Sequence, residues 1–179
     1  MIFRSKFIPR LIGPVKTTIL LSVVFFFAAF VQDVSAQRKF SRTYPAGQNV
    51  RLNLTNRMGT VEVEGWNRRE INIEARLEAP AANIQPQSSS GGLEIDVVRD
   101  NHGRDVGSVN FLVRVPNTTS DDIETRIGNL SVTNMRSGLV RAYITSEGDI
   151  TLTNIIATNV AAENRLGDIF FDGQINENG

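Results

Sequence analysis

Three segments near the C-terminus repeat one pattern in phase: GNLSVTNM from Gly128, GDITLTNI from Gly148 and GDIFFDGQ from Gly167. The steps between them are 20 and 19 residues. An earlier copy, GTVEVEGW, starts at Gly59. Each copy reads glycine, polar, apolar, any, apolar, any, then asparagine or glycine. The two apolar slots hold Val61/Val63, Leu130/Val132, Ile150/Leu152 and Ile169/Phe171. The seventh slot holds Gly65, Asn134, Asn154 or Gly173. Glycine and asparagine accept a positive φ most readily. The pattern therefore predicts a turn at Gly59, Gly128, Gly148 and Gly167, then a short strand, then a left-handed corner at the seventh slot. Half-way through the step lies a second strand, with Val140, Ala142 and Ile144 in one copy and Val160 and Ala162 in the next. A unit of two short strands cannot bury its own apolar face, whereas stacked units can. The expected fold is all-β: a β-helix- or solenoid-like stack of short strands with roughly 20-residue C-terminal repeats, preceded by longer strands. An antiparallel meander also spaces strands about 10 residues apart. The in-phase Gly and Asn positions favour the stack.

The longer strands show as period-two alternation. Val50, Leu52 and Leu54 alternate with Arg51, Asn53 and Thr55. Ile71, Ile73, Ala75 and Leu77 alternate with Asn72, Glu74, Arg76 and Glu78. Leu93, Ile95 and Val97 form a third run, and Val109, Phe111, Val113 and Val115 a fourth. Each buries one face and wets the other. Pro80 to Gly92 (PAANIQPQSSSGG) reads as a surface loop.

The N-terminus has a different character. Arg4, Lys6, Arg10 and Lys16 precede an apolar run from Thr17 to Val31, and the polar stretch Gln32 to Ala36 follows. A positive region, an apolar region and small residues before the cut mark a secretory signal. Val34 and Ala36 fit the −3 and −1 positions, which places cleavage between Ala36 and Gln37. The other reading is an uncleaved anchor, but a spanning helix needs about 20 apolar residues and this run is shorter. Residues 1–36 are thus read as a signal peptide and 37–179 as one domain working beyond the inner membrane: periplasmic, outer-surface or extracellular. The membrane is touched only through the signal segment.

Removing the signal leaves 15 basic against 18 acidic residues, so neither nucleic acid nor an anionic membrane is an expected partner. There is no cysteine, which excludes disulfides, thiol catalysis, thiolate metal sites and lipid attachment at cysteine.

The run VPNTTSDDIETRIGNLSVTNMRSGLVRAYITSEGDITLTNI resembles the bacterial putative-adhesin domain, the DUF4097 β-strand-repeat family. Upstream, Phe40-Ser-Arg-Thr-Tyr44 and NLTNRMGTVEVEGWNRREINIEA carry the likeness further, so that it covers nearly all of residues 38–179. The resemblance implies an exported β-helix-like domain without enzyme activity or cofactor, and it brings no defined catalytic or binding residues. The family pattern continues for further copies, whereas here the sequence stops at Asn178-Gly179, a few residues into the copy from Gly167. An incomplete C-terminus is expected, or an open edge that another molecule covers.

Chemistry is sparse. His102, the only histidine, lies in the polar stretch Asp100 to Asp105 and reads as a turn residue. No serine sits in a Gly-x-Ser-x-Gly elbow. Asn129, Asp149 and Asp168 follow equivalent glycines and would stack in a row. The dense glycine pattern of a calcium-binding roll is absent, so they read as backbone-bonding turn residues rather than calcium ligands. Glu62, Glu64, Glu74 and Asp96 fall on wet faces beside arginines, which suits cross-strand ion pairs better than a glycosidase carboxylate pair. Trp66 occupies the slot of Met135 and Ile155, which favours packing over sugar stacking. The expected function is an exported, non-enzymatic envelope or surface binding module, adhesin-like, whose ligand is a glycan or a protein. Its contact surface would be exposed strand residues such as Arg141 and Tyr143. The alternative is a structural envelope protein that self-associates edge to edge; a carbohydrate-active enzyme ranks third.

Overall fold

The computed structural model describes residues 37–80, 83–102 and 106–176, all within one compact unit, Ser35–Gly179. The proposed signal segment lies outside the described residues.

Among the described residues the fold is all-β, and twelve strands form one nearly closed, barrel-like sheet. They are β1 (Arg38–Pro45), β2 (Arg51–Met58), β3 (Val61–Trp66), β4 (Glu70–Leu77), β5 (Gln87–Ser89), β6 (Gly92–Asp96), β7 (Val109–Pro116), β8 (Ser120–Ile127), β9 (Leu130–Thr133), β10 (Arg136–Glu147), β11 (Ile150–Asn164) and β12 (Ile169–Ile175). The order runs β1-β4-β7-β3-β9-β11-β10-β8-β2-β6-β5, with β12 added alongside β11. Pairing is antiparallel at the two ends (β1 with β4, β4 with β7, β5 with β6) and parallel between them.

In the parallel region Val61 pairs with Leu130, Leu130 with Ile150, and Ile150 with Ile169. Two residues on, Val63, Val132, Leu152 and Phe171 pair in the same order. The first three members of each row are buried. The second wall brings Leu52 beside Asp121, Asp121 beside Val140, and Val140 beside Val160. Strand β11 serves both walls: Ile150–Thr153 pairs with β9, and Ile156–Asn164 with β10. The apolar side chains between the walls, among them Leu54, Ile73, Ile95, Ile123, Met135 and Ile155, make one core.

Glycines at the turns sit one above another. A side chain on Gly128 would run into the Gly59 carbonyl, one on Gly148 into the Gly128 carbonyl, and one on Gly167 into the Gly148 carbonyl. All four have positive φ. Asn134 (φ 62°) and Asn154 (φ 54°) are left-handed corners. Gly65 and Gly173 are not, which corrects the seventh-slot reading. The reason is register. Asn154 is an extra residue between Thr153 and Ile155, whose partners Asp172 and Gly173 are consecutive. Gly173 thus lies level with Ile155, and both it and Gly65 are glycine because a neighbouring backbone crosses where a side chain would stand.

Two further expectations change. The strand through Leu93 and Ile95 ends before Val97, because the Asp96 carboxylate accepts a hydrogen bond from the Arg99 backbone N–H at 2.8 Å and caps a single helical turn, α1 (Val97–Asp100). His102 follows that turn with φ 55°. The stretch from Pro80 to Gly92 is not all loop: it holds β5, and Ile84 is buried.

Candidate functional site

The outer face of β1, β4, β7 and β3 carries a cleft of about 470 Å3. Register builds it. Lys39 lies opposite Arg76, and Arg76 opposite Asn110. One row along, Ser41 faces Glu74, Glu74 faces Leu112, and Leu112 faces Glu62. The period-two alternation that buries Phe111, Val113 and Ala75 turns these neighbours outward.

The charges differ in how well they are matched. Arg114 bridges Glu64 (3.2 Å) and Glu74 (2.9 Å), and the Glu74 hydrogen bond leads in raising its already high pKa. Glu74 thus has an ion-pair partner in Arg114. Lys39 and Arg76 form a cross-strand pair of like charge, and among the described residues neither makes an ion pair. Such a pair is unfavourable by a few tenths of a kcal/mol to about 1 kcal/mol, and an anionic group entering the cleft would relieve it. Asn110 is held from the other side, its Oδ1 accepting from the Thr60 backbone N–H (2.9 Å) and hydroxyl (3.0 Å). The sequence did not disclose this row, because it depends on the β1–β4 register, which no local pattern encodes.

The residues singled out from sequence are placed as follows. Arg141 contacts Asp122 at 3.3 Å on the outer face of the second wall. Tyr143 stands in register between Glu124 and Glu163. Neither reaches the cleft. Trp66 is half-buried, its indole N–H donates to the Glu70 carbonyl (2.9 Å), and the Arg68 guanidinium lies 4.8 Å from its ring centre. The row Asn129, Asp149, Asp168 is real, but its side chains bond the next turn along rather than their own. Asn129 Oδ1 accepts from the Asp149 N–H (3.0 Å) and Asp149 Oδ1 from the Asp168 N–H (2.9 Å). Among the described residues no cluster of His, Asp or Glu could hold a metal ion.

A buried polar patch was missed. Asp121 is fully buried on β8 beside Leu52 and Val140, and neither carboxylate oxygen has a partner. Burial alone pushes its pKa well above the usual carboxylate range. Thr119 and Thr125 on the same segment also bury unpartnered hydroxyls.

No protein-family model matches this chain. No curated protein matches it either. Solved structures similar to it include a "putative cell adhesion protein" from Clostridium sporogenes, with 9% identity, 73% of each chain covered and a TM-score of 0.41. A "putative adhesin" from Parabacteroides distasonis has 10% identity, a TM-score of 0.42 and covers 78% of this chain and 67% of its own. Another "putative adhesin", from Bacteroides fragilis, has 12% identity, a TM-score of 0.34 and covers 75% and 80%.

Proposed function

We propose that residues 37–179 are an exported, non-enzymatic surface-binding module of the DUF4097 β-strand-repeat kind. In this reading the fold is a solenoid of roughly 20-residue rungs, and the ligand, a glycan or an envelope protein, docks in the β1–β4–β7–β3 cleft. One observation carries the reading: the cleft joins an unmatched Lys39–Arg76 pair to a floor at Leu112 and an acidic wall at Glu62. Concave sites with an apolar floor and a few convergent polar groups are the usual form of a ligand site. The test is a glycan array and an envelope-protein pull-down on residues 37–179, beside Lys39→Glu/Arg76→Glu. Binding that the double variant loses supports the site. Binding that survives in the variant moves the site elsewhere, and the absence of any binding removes the reading.

A second reading, edge-to-edge self-association, is favoured by β12. Ile169, Phe170, Phe171 and Ile175 are 47%, 58%, 40% and 53% exposed, and among the described residues no strand pairs with the outer edge of β12.

A further inference from the structure

We propose that Gln37 becomes a pyroglutamate once it is the first residue, leaving the module with a covalently blocked N-terminus. The inference rests on the export reading, with the cut after Ala36.

Gln37 is exposed and lies one residue ahead of β1, whose pairing with β4 begins at Arg38 opposite Leu77. It is therefore outside the ladder that holds the strand, and a ring formed there leaves that ladder intact. Its side-chain amide makes one long, exposed contact, Nε2 to Glu78 Oε1 at 3.4 Å. Such a contact at the limit of hydrogen-bond length does not hold the side chain away from its own amine.

The chemistry is self-contained. The free α-amine, with a pKa of about 8, is partly neutral near neutral pH. Its nitrogen attacks the Gln37 side-chain carbonyl carbon, Cδ. The N–Cδ bond forms, the Cδ–Nε2 bond breaks, and the proton lost by the attacking amine leaves with Nε2 as ammonia. The product is a five-membered lactam, and no oxidant, reductant or second substrate enters.

The position gives the reaction its consequence. Strand β1 ends the sheet and packs Phe40 and Tyr44 against the core. Exopeptidases that need a free α-amine would otherwise start one residue from this edge strand. Loss of β1 would bare the β4 edge along Ile71, Ile73 and Ala75, and a bare edge invites pairing with other chains. The lactam also removes a positive charge beside Arg38 and Lys39, next to the cleft.

The test is to express the full 179-residue chain in an exporting bacterium and measure the intact mass of freshly exported protein. A chain beginning at residue 37, lighter by one ammonia and silent in Edman sequencing, is the expected result. Gln37→Ala should be open to Edman sequencing and to aminopeptidase trimming while melting at the same temperature. A chain of full mass starting at Gln37, or one that loses ammonia only on storage, overturns the cyclisation and leaves export standing. A chain that starts elsewhere overturns the export cut and this inference together.

Discussion

The Asn154 side-chain amide donates to the Asn134 side-chain oxygen at 2.8 Å, and both residues, 20 positions apart, hold left-handed backbone conformations. The pair joins the two corners at which the chain turns from one wall to the other. Each residue fits for two reasons: asparagine tolerates a positive φ, and its amide both donates and accepts.

These two contributions can be separated. Asn154→Gly keeps the backbone conformation and loses the hydrogen bond, so a cost of about 1 kcal/mol is expected. Asn154→Ala loses the bond and meets the left-handed strain as well, so it should cost about 1–2 kcal/mol more. Urea unfolding of the two variants checks the order. Equal losses would mean that the corner conformation carries no strain.

Gly148→Val should be far worse than either. Gly148 has φ 148°, and a side chain there would meet the Gly128 carbonyl, in a turn flanked by the Gly128 N–H to Glu147 carbonyl and Leu130 N–H to Asp149 carbonyl hydrogen bonds, both 2.9 Å. Backbone strain costs about 1–3 kcal/mol and overpacking a comparable amount. Gly138→Ala, with nothing near its added methyl, is the control and should melt close to the parent. A Gly148→Val variant as stable as that control would remove the packed glycine column as a source of stability.

Much of this architecture is legible in the sequence, and the exceptions have physical causes. Strands β4 and β7 show because their inward positions are all apolar, as in Ile71, Ile73, Ala75 and Leu77, and β2 shows through Leu52 and Leu54 although its third inward position is Asn56. Strand β8 is silent because its inward positions are Asp121, Ile123 and Thr125, only one of them apolar. The seventh-slot alignment fails at Gly65 and Gly173 because glycine serves two needs, positive φ and close backbone approach, which look alike in sequence. The cleft is invisible because Lys39 and Arg76 meet only through antiparallel pairing across 37 positions.

Asp121 sets a pH dependence. Its carboxyl is buried without a partner, so its folded pKa lies above the unfolded value of about 3.9. The folded chain holds this proton more tightly than the unfolded chain. Its stabilising effect is complete below the unfolded pKa and is lost as pH rises toward the folded pKa. Above about pH 4 the chain should therefore lose stability with rising pH on account of this group. Asp121→Asn should flatten that slope and be the more stable protein at neutral pH, by roughly 1–3 kcal/mol. Denaturant melts at pH 4.5, 6 and 7.5 on both proteins are the measurement. Parallel pH profiles would show that Asp121 ionises freely in the fold.

The edge at β12 leads to the last prediction. Ile169 and Phe171 continue the rows that Ile150 and Leu152 fill, yet they are 47% and 40% exposed where those two are fully buried. Leu166, Phe170 and Ile175 widen the patch, and Asp172 is the one charge within the strand. Sheet edges are ordinarily kept from pairing by charges, prolines or bulges. In the turn before β12, the Asp168 backbone N–H donates to Asp149 Oδ1 at 2.9 Å and is the last donor of the row that starts at Asn129. A polypeptide of residues 37–179 alone should therefore self-associate as its concentration rises. Phe170→Lys places a charge on the outward face of the edge strand, beside Thr151 and away from the core rows, and should shift the sedimentation profile toward monomer. Its melting temperature should change little, because Phe170 is 58% exposed. Phe171→Lys would also weaken association but should cost stability, since Phe171 packs beside Leu152. A parent chain that sediments as a monomer at high concentration would show that β12 repels partners despite its apolar face.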